Sequence, residues 1–156
     1  MEDLYYSDYI ELDKLLNSQH PRSFESLEEG NDEMLFIIVH QVYELWFKQI
    51  LHEIDAAISF IAQDRLPAAT RVLKRVVDIE KLLLDQIHIL ESMTPINFLA
   101  FRDQLNPASG FQSMQFREIE FSSGLKDESI VGEFKDDEFA SARLQARFAQ
   151  PSIADA

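Results

Sequence analysis

The sequence predicts an all-α fold, a helical bundle with two long antiparallel helices plus short helices. Three observations carry this. Apolar residues recur at helical spacing over two long stretches, parted by Arg65-Leu66-Pro67. Few segments keep the alternation of a strand. Glycine and proline number only 4 and 5 in 156 residues, too few to punctuate a sandwich of many short strands. The chain reads as a single all-α region with a real core, 46% of its residues being hydrophobic.

The elements follow in order. Tyr9 to Gln19 is a short amphipathic helix through Ile10, Leu12, Leu15 and Leu16, ended by His20-Pro21. Residues 21 to 31 form a polar loop. Leu35, Phe36, Val39, Val42, Tyr43, Trp46, Phe47, Ile50, Leu51, Ile54, Ile58 and Ile61 mark one long helix burying a broad stripe. Gly30 or Asn31 can cap it, with Asp32 and Glu33 near the positive end of its dipole. Glu44 and Lys48, one turn apart, read as an exposed support pair. A second long helix spans about Pro67 to Ser92, its stripe being Val72, Leu73, Val76, Leu83, Ile87 and Leu90. Thr94-Pro95 starts a third, to about residue 105. Pro107 to Gly110 interrupts. Met114–Ser122 and Glu138–Gln150 are shorter candidates. Pro151–Ala156 starts like a helix and stops, which reads as a chain cut short.

Charge and composition narrow the function. Against 14 basic residues stand 28 acidic ones, a net charge of −14, which disfavours nucleic acid and anionic membranes. Glu25–Glu33 and Asp127–Glu138 hold many of these acids and read as solvated loops. No cysteine offers a disulfide or a thiolate ligand. The acidic N-terminus lacks the apolar core of a signal peptide, and a cytoplasmic protein is the expectation.

His40 lies on one helical face with Phe36, Tyr43 and Phe47. An imidazole there favours its neutral form and can hold a flat aromatic ligand carrying one N–H. It can equally be a core histidine bonded to a carbonyl or a glutamate. Arg102 emerges one turn after Phe98, and its guanidinium suits a bidentate grip on a carboxylate. A surface pair with an acid is its plainer reading. Asn106–Gly110 is a loop of small residues that permits close backbone approach, or an ordinary helix-breaking turn. Asp85-x-x-His88 is one carboxylate–histidine pair without the second that a di-iron bundle needs. No HExxH, phosphate loop or hydrolase elbow occurs.

These stretches also carry a resemblance. Tyr6-x-x-Tyr9-Ile10-x-Leu12, Asp32 to Phe36, HQVYELWFKQILHE (His40–Glu53), Met93-Thr94-Pro95, FRDQL (Phe101–Leu105), PASGFQSMQFREIEF (Pro107–Phe121) and ARLQARFAQPS (Ala142–Ser152) resemble the N-terminal portion of the tryptophan 2,3-dioxygenase family. The resemblance covers most of the chain. It implies a homotetrameric, haem-dependent oxidoreductase of the kynurenine pathway of tryptophan catabolism, opening the indole ring of L-tryptophan to N-formylkynurenine with O2. It implies that His40 is the catalytic histidine on the indole N–H. It assigns Phe36, Ile37, Ile38, Val39, Phe98 and Arg102 to the substrate, with Arg102 on its carboxylate. Ser109 and Gly110 fall beside the haem. Tyr6, Tyr9 and Ile10 fall on a segment that reaches a neighbouring subunit's pocket. The family's axial iron histidine lies beyond the matched region, and His20, His52 and His88 do not match it. Such a chain alone is expected to be inactive. Two other readings stand beside this one: a non-catalytic binding or assembly module of the same fold, and a non-haem metalloprotein built around Asp85 and His88.

Overall fold

The structure, a computed structural model, describes residues 4–23 and 27–156, with backbone only at 27–31. All regular secondary structure among the described residues is helical. Helices α1 (Tyr6–Tyr9) and α2 (Leu12–Leu16) precede two long helices, α3 (Leu27–Ala62) and α4 (Leu66–Glu91). Then come α5 (Pro95–Arg102), two 3₁₀ turns, α6 (Met114–Ser123), α7 (Glu128–Glu133) and α8 (Glu138–Ala149). None of the described helices is long and apolar enough to cross a membrane.

The long pair is antiparallel. Tyr43 reaches the Leu83 carbonyl and Glu53 reaches Arg75, so α4 descends as α3 ascends. The predicted stripes meet between them, with Ile50, Ile54, Val76, Ile79 and Leu83 buried together and Trp46 and Phe47 packed on their edge. The turn closes tightly because Asp64 takes a left-handed conformation (φ 57°), and the Arg65 N–H reaches back to the Phe60 carbonyl at 2.8 Å. The Arg65 guanidinium then lies 4.7 Å from the Phe60 ring centre.

A second core joins α6, α7 and α8 through Phe121, Phe134, Ala140 and Leu144. Side-chain caps start each helix there: Ser113, Asp127 and Asp137 accept from the first-turn N–H groups. Gly124 ends α6 at φ 109°, and a Cβ on it would lie 2.8 Å from Ala154, so both backbone and space require glycine. Buried Glu118 of α6 pairs with Arg143 of α8, while Arg147 of α8 pairs with Asp55 of α3. The first pair joins two helices of the second core, and the second fastens that core to the long helix.

Several expectations are corrected. The first helix is two pieces, because Glu11 is left-handed (φ 51°) and breaks it. Helix α3 begins at Leu27, so Gly30 and Asn31 lie inside it and not at its start. Asp127–Glu138 is not all loop: Ile130 and Val131 face the second core and make α7. The third helix is α-helical only to Arg102 and tightens to a 3₁₀ turn over Asp103–Leu105. Pro151 does not open a helix. Buried Ser152 starts a turn instead, donating from its N–H and its hydroxyl to Asp155, and the Ile153 N–H bonds the Ser122 carbonyl. Glu44 is half-buried and accepts from the Gln115 amide at 2.8 Å, on the side of α6.

Candidate functional site

Helix α3 presents Glu33, Phe36, Ile37, His40 and Glu44 along one face, at the spacing of successive turns. That face lines a cavity of about 690 Å³. Helix α5 forms its second wall and the small-residue loop Ala108–Gly110 its third.

Each wall has a local cause. Thr94 caps α5, accepting from the Asn97 N–H at 3.2 Å, and the helix then carries Phe98, Phe101 and Arg102. Fully buried Phe101 anchors it, with ring centres 5.6 Å from both Phe36 and Phe98. Asn97 donates to Asp32 at 2.8 Å, a second tie to α3. In the loop, Ser109 caps the 3₁₀ turn Gly110–Gln112. Its hydroxyl accepts from the Phe111 N–H, and its own N–H donates to the Gln112 side chain.

His40 is half-buried and its ring lies 4.0 Å from that of Phe36, tilted by 36°. Its Nδ1 is 2.7 Å from the Phe36 carbonyl. A carbonyl can only accept, so the hydrogen sits on Nδ1. In the neutral ring Nε2 is then left as an acceptor. Nε2 faces the loop: a Cβ added to Gly110 would stand 3.9 Å from it. The sequence left open whether this histidine bonds a carbonyl or serves a ligand, and it is placed to do both. Arg102 is half-buried and, among the described residues, makes no hydrogen bond or ion pair. The surface-pair reading of this arginine finds no partner among the described residues.

The structure brings Phe36, Ile37, His40, Phe98, Arg102, Ser109 and Gly110 to one cavity. Two expected members stay away from it. Val39 is buried at 7% exposure and Ile38 is 43% exposed, because consecutive residues of a helix turn to different sides. Tyr6 and Tyr9 are exposed and Ile10 half-buried on the N-terminal segment, outside the cavity of their own chain.

Sequence reasoning missed a wall. Residues 18–23 run along α3 as a strap. The Gln19 amide donates to Gln41 at 2.6 Å, and the Gln41 amide donates to the Ser18 carbonyl at 3.1 Å. At the other end Glu33 accepts from the Arg22 and Ser23 N–H groups, at 2.8 and 2.6 Å, and from the Ser23 hydroxyl. Burial pushes the Glu33 carboxyl up, but the Ser23 hydroxyl, the two N–H groups and nearby Arg22 outweigh it and hold the group below its ordinary value. The solvated reading of Glu25–Glu33 thus fails at Glu33, which is 1% exposed; the side chains at 25–31 lie outside the described residues. Through the strap, His20 and Arg22 also line the cavity. The one available signal was an acidic pair set one turn before an aromatic on a helix.

A second concavity, of about 610 Å³, lies between α3 and α4 around Val42, Leu45, Trp46 and Ile79. Its polar residues Gln49 and Arg75 are already spent on Glu53. No group of three or more His, Asp or Glu able to hold a bare metal ion occurs among the described residues. His88 is exposed and bonds Glu91, whose hydrogen bond raises its pKa, so the Asp85–His88 metal reading finds no support.

Comparison with known proteins agrees with the resemblance. The family model for tryptophan 2,3-dioxygenase matches residues 1–150. A tryptophan 2,3-dioxygenase of Nocardioides sp. is 50% identical, covering 98% of this chain and 58% of its own length. One from Alteromonas mediterranea is 52% identical, over 82% of this chain and 37% of its own length. One from Aedes aegypti is 44% identical, over 97% and 42%. The chain thus spans roughly 37% to 58% of the length of these relatives.

Proposed function

The chain belongs to the tryptophan 2,3-dioxygenase family, and from that premise we propose that it supplies the substrate-holding side of an enzyme that opens the indole ring of L-tryptophan with O2, giving N-formylkynurenine. The observation that carries this is the convergence on one cavity of two half-buried aromatic rings, a histidine Nε2 and an arginine guanidinium, the last two without a hydrogen-bonding partner among the described residues.

Arg102 binds the amino-acid carboxylate, where a guanidinium fits two oxygens at once. Phe36 and Phe98, in contact with ring centres 6.0 Å apart, together line the indole's side of the cavity. His40 accepts the indole N–H at Nε2 while its Nδ1–H stays on the Phe36 carbonyl. It orients the ring and does not abstract a proton, because indole N–H is a very weak acid. Fixing both ends of the substrate lowers the entropy cost of the step. The apolar rings exclude water from it.

Haem fits this cavity on one side only. Ser109 and Gly110 give a small-residue wall on which a flat macrocycle can rest. An axial iron ligand is not assigned to any residue here. When bound, haem supplies the oxygen chemistry; the residues described bind, orient and shield. A homotetramer, with Tyr6, Tyr9 and Ile10 at a neighbouring subunit, and a cytoplasmic location complete the proposal, as does the view of residues 1–156 as the N-terminal part of one larger dioxygenase domain.

The test is the haem-loaded full-length enzyme of which this chain is proposed to be the N-terminal part, titrated with L-tryptophan while the Soret band is followed and N-formylkynurenine assayed. A tryptophan-dependent band shift with product formation is expected. Arg102→Ala should weaken L-tryptophan binding by about 10- to 100-fold, the value of a charged hydrogen-bonding grip. No haem, no binding and no product would overturn the proposal. Binding without product would point to the non-catalytic module.

A further inference from the structure

We propose that Arg22 is a second carboxylate-recognition group of the cavity, and that Glu33 is the positioning residue that holds it there. The inference rests on the tryptophan-binding reading above.

The strap is fixed at two points of α3, Glu33 and Gln41, which stand about 12 Å apart along the helix. Between those points α3 exposes Phe36, Ile37 and His40 to the cavity. The strap therefore runs alongside the ring-binding face, and Arg22, though exposed, lines its rim. Glu33 controls this directly, since one of its oxygens accepts from the backbone N–H of Arg22 itself. Its other oxygen is occupied by Ser23. The Glu33 carboxylate, which feels the Arg22 charge, thus makes its hydrogen bonds to the strap's backbone and hydroxyl.

Four of the other six arginines behave differently, Arg65 instead lying over the Phe60 ring and Arg71 having no ion pair among the described residues. Arg75, Arg117, Arg143 and Arg147 each meet a carboxylate: Glu53, Glu120, Glu118 and Asp55. In a chain with twice as many acids as bases, that is the expected fate of a guanidinium. Arg22 and Arg102 share the opposite condition. Neither has a hydrogen-bonding side-chain partner among the described residues, and both line the same cavity. They arrive from different elements, the strap and α5, and each element is tied to α3 by one of two adjacent acids, Glu33 and Asp32. A carboxylate has two oxygens and lone pairs enough for two guanidinium partners. A carboxamide offers one oxygen and no charge. Two arginines should therefore sharpen the choice of a free amino acid over its amide.

The experiment compares L-tryptophan with L-tryptophanamide in calorimetric titrations of the same haem-loaded full-length enzyme. Arg22→Gln should weaken L-tryptophan about tenfold and leave L-tryptophanamide unchanged. Arg22→Lys should recover part of the loss. Glu33→Gln should lower the acid-to-amide preference in the same direction, a ratio that general loosening of the fold would not move selectively. Should Glu33→Gln fail to fold, Arg22→Gln alone decides. An unchanged ratio in Arg22→Gln, with Arg102→Ala still impaired, would overturn this inference and leave the proposed function standing. No binding of L-tryptophan by the unmutated protein would overturn both.

Discussion

The two ends of α3 are held by different forces. From Ile50 to Ile58 the helix is gripped by apolar packing against α4, with Ile50 and Ile54 each 1% exposed. From Asp32 to Gln41 it is gripped largely by hydrogen bonds, through Asp32 to α5, Glu33 to the strap and Gln41 to Gln19. The apolar end uses its side chains up. The polar end does not: Phe36 and Phe98 stay half-buried, with ring surface still available. Walls hung on carboxylates leave the hydrophobic faces free for a ligand, at the cost of burying charge. Packing is non-directional and suits a scaffold, whereas hydrogen bonds set direction and suit a pocket.

Three perturbations probe this contrast. The largest effect should come from the apolar end. Ile54→Ala removes a side chain with no room to compensate and should cost about 3 kcal/mol. Urea unfolding followed by the single tryptophan, Trp46, which packs on that core, measures it. A loss under 1 kcal/mol would show that the two ends are not as unlike as described. Next comes the cap of α5. Thr94→Ala should cost about 1 kcal/mol and loosen the helix that carries Arg102. Amide exchange at Asn97 and Phe98 should rise while the hairpin amides stay protected.

The smallest global effect should come from acidification. Glu33 has its folded pKa depressed, so its contribution is complete above the ordinary glutamate value of about 4.3 and is lost as pH falls through the lower folded value. Protection of the Arg22 and Ser23 amides from exchange should therefore fall as pH drops through the lowered Glu33 value, ahead of hairpin unfolding. Asp127 and Asp155, held low by Ser129 and Ser152, respond in the same direction but act on α7 and the C-terminal turn. Amides at Arg22 and Ser23 that stay protected until the hairpin unfolds would contradict the separate hold assigned to Glu33.

Legibility in the sequence follows the same divide. The hairpin was readable because burial there repeats every three or four residues, as in Ile50, Ile54 and Ile58. His40 and Arg102 were readable as candidates because each sits on such a helix beside a phenylalanine. The break at Glu11 was not, since nothing in Ile10-Glu11-Leu12 demands a left-handed residue. Nor was α7, whose six residues supply only Ile130 and Val131 to the core within an acidic stretch. Arg22 and Glu33 were hidden for another reason. A buried carboxylate depends on a segment ten residues earlier folding back onto it. No local pattern records that return.

Asp32 and Glu33 are neighbours, and neighbours on an α-helix point about 100° apart around its axis. The bearings from which α5 and the strap approach the cavity therefore differ by the step of a single peptide unit. Lengthening either connecting loop would alter slack but not bearing. One residue inserted between Glu33 and Phe36 would instead put that same step between the carboxylate ties and the holds at Phe36 and Gln41, so that neither wall could keep both of its anchors.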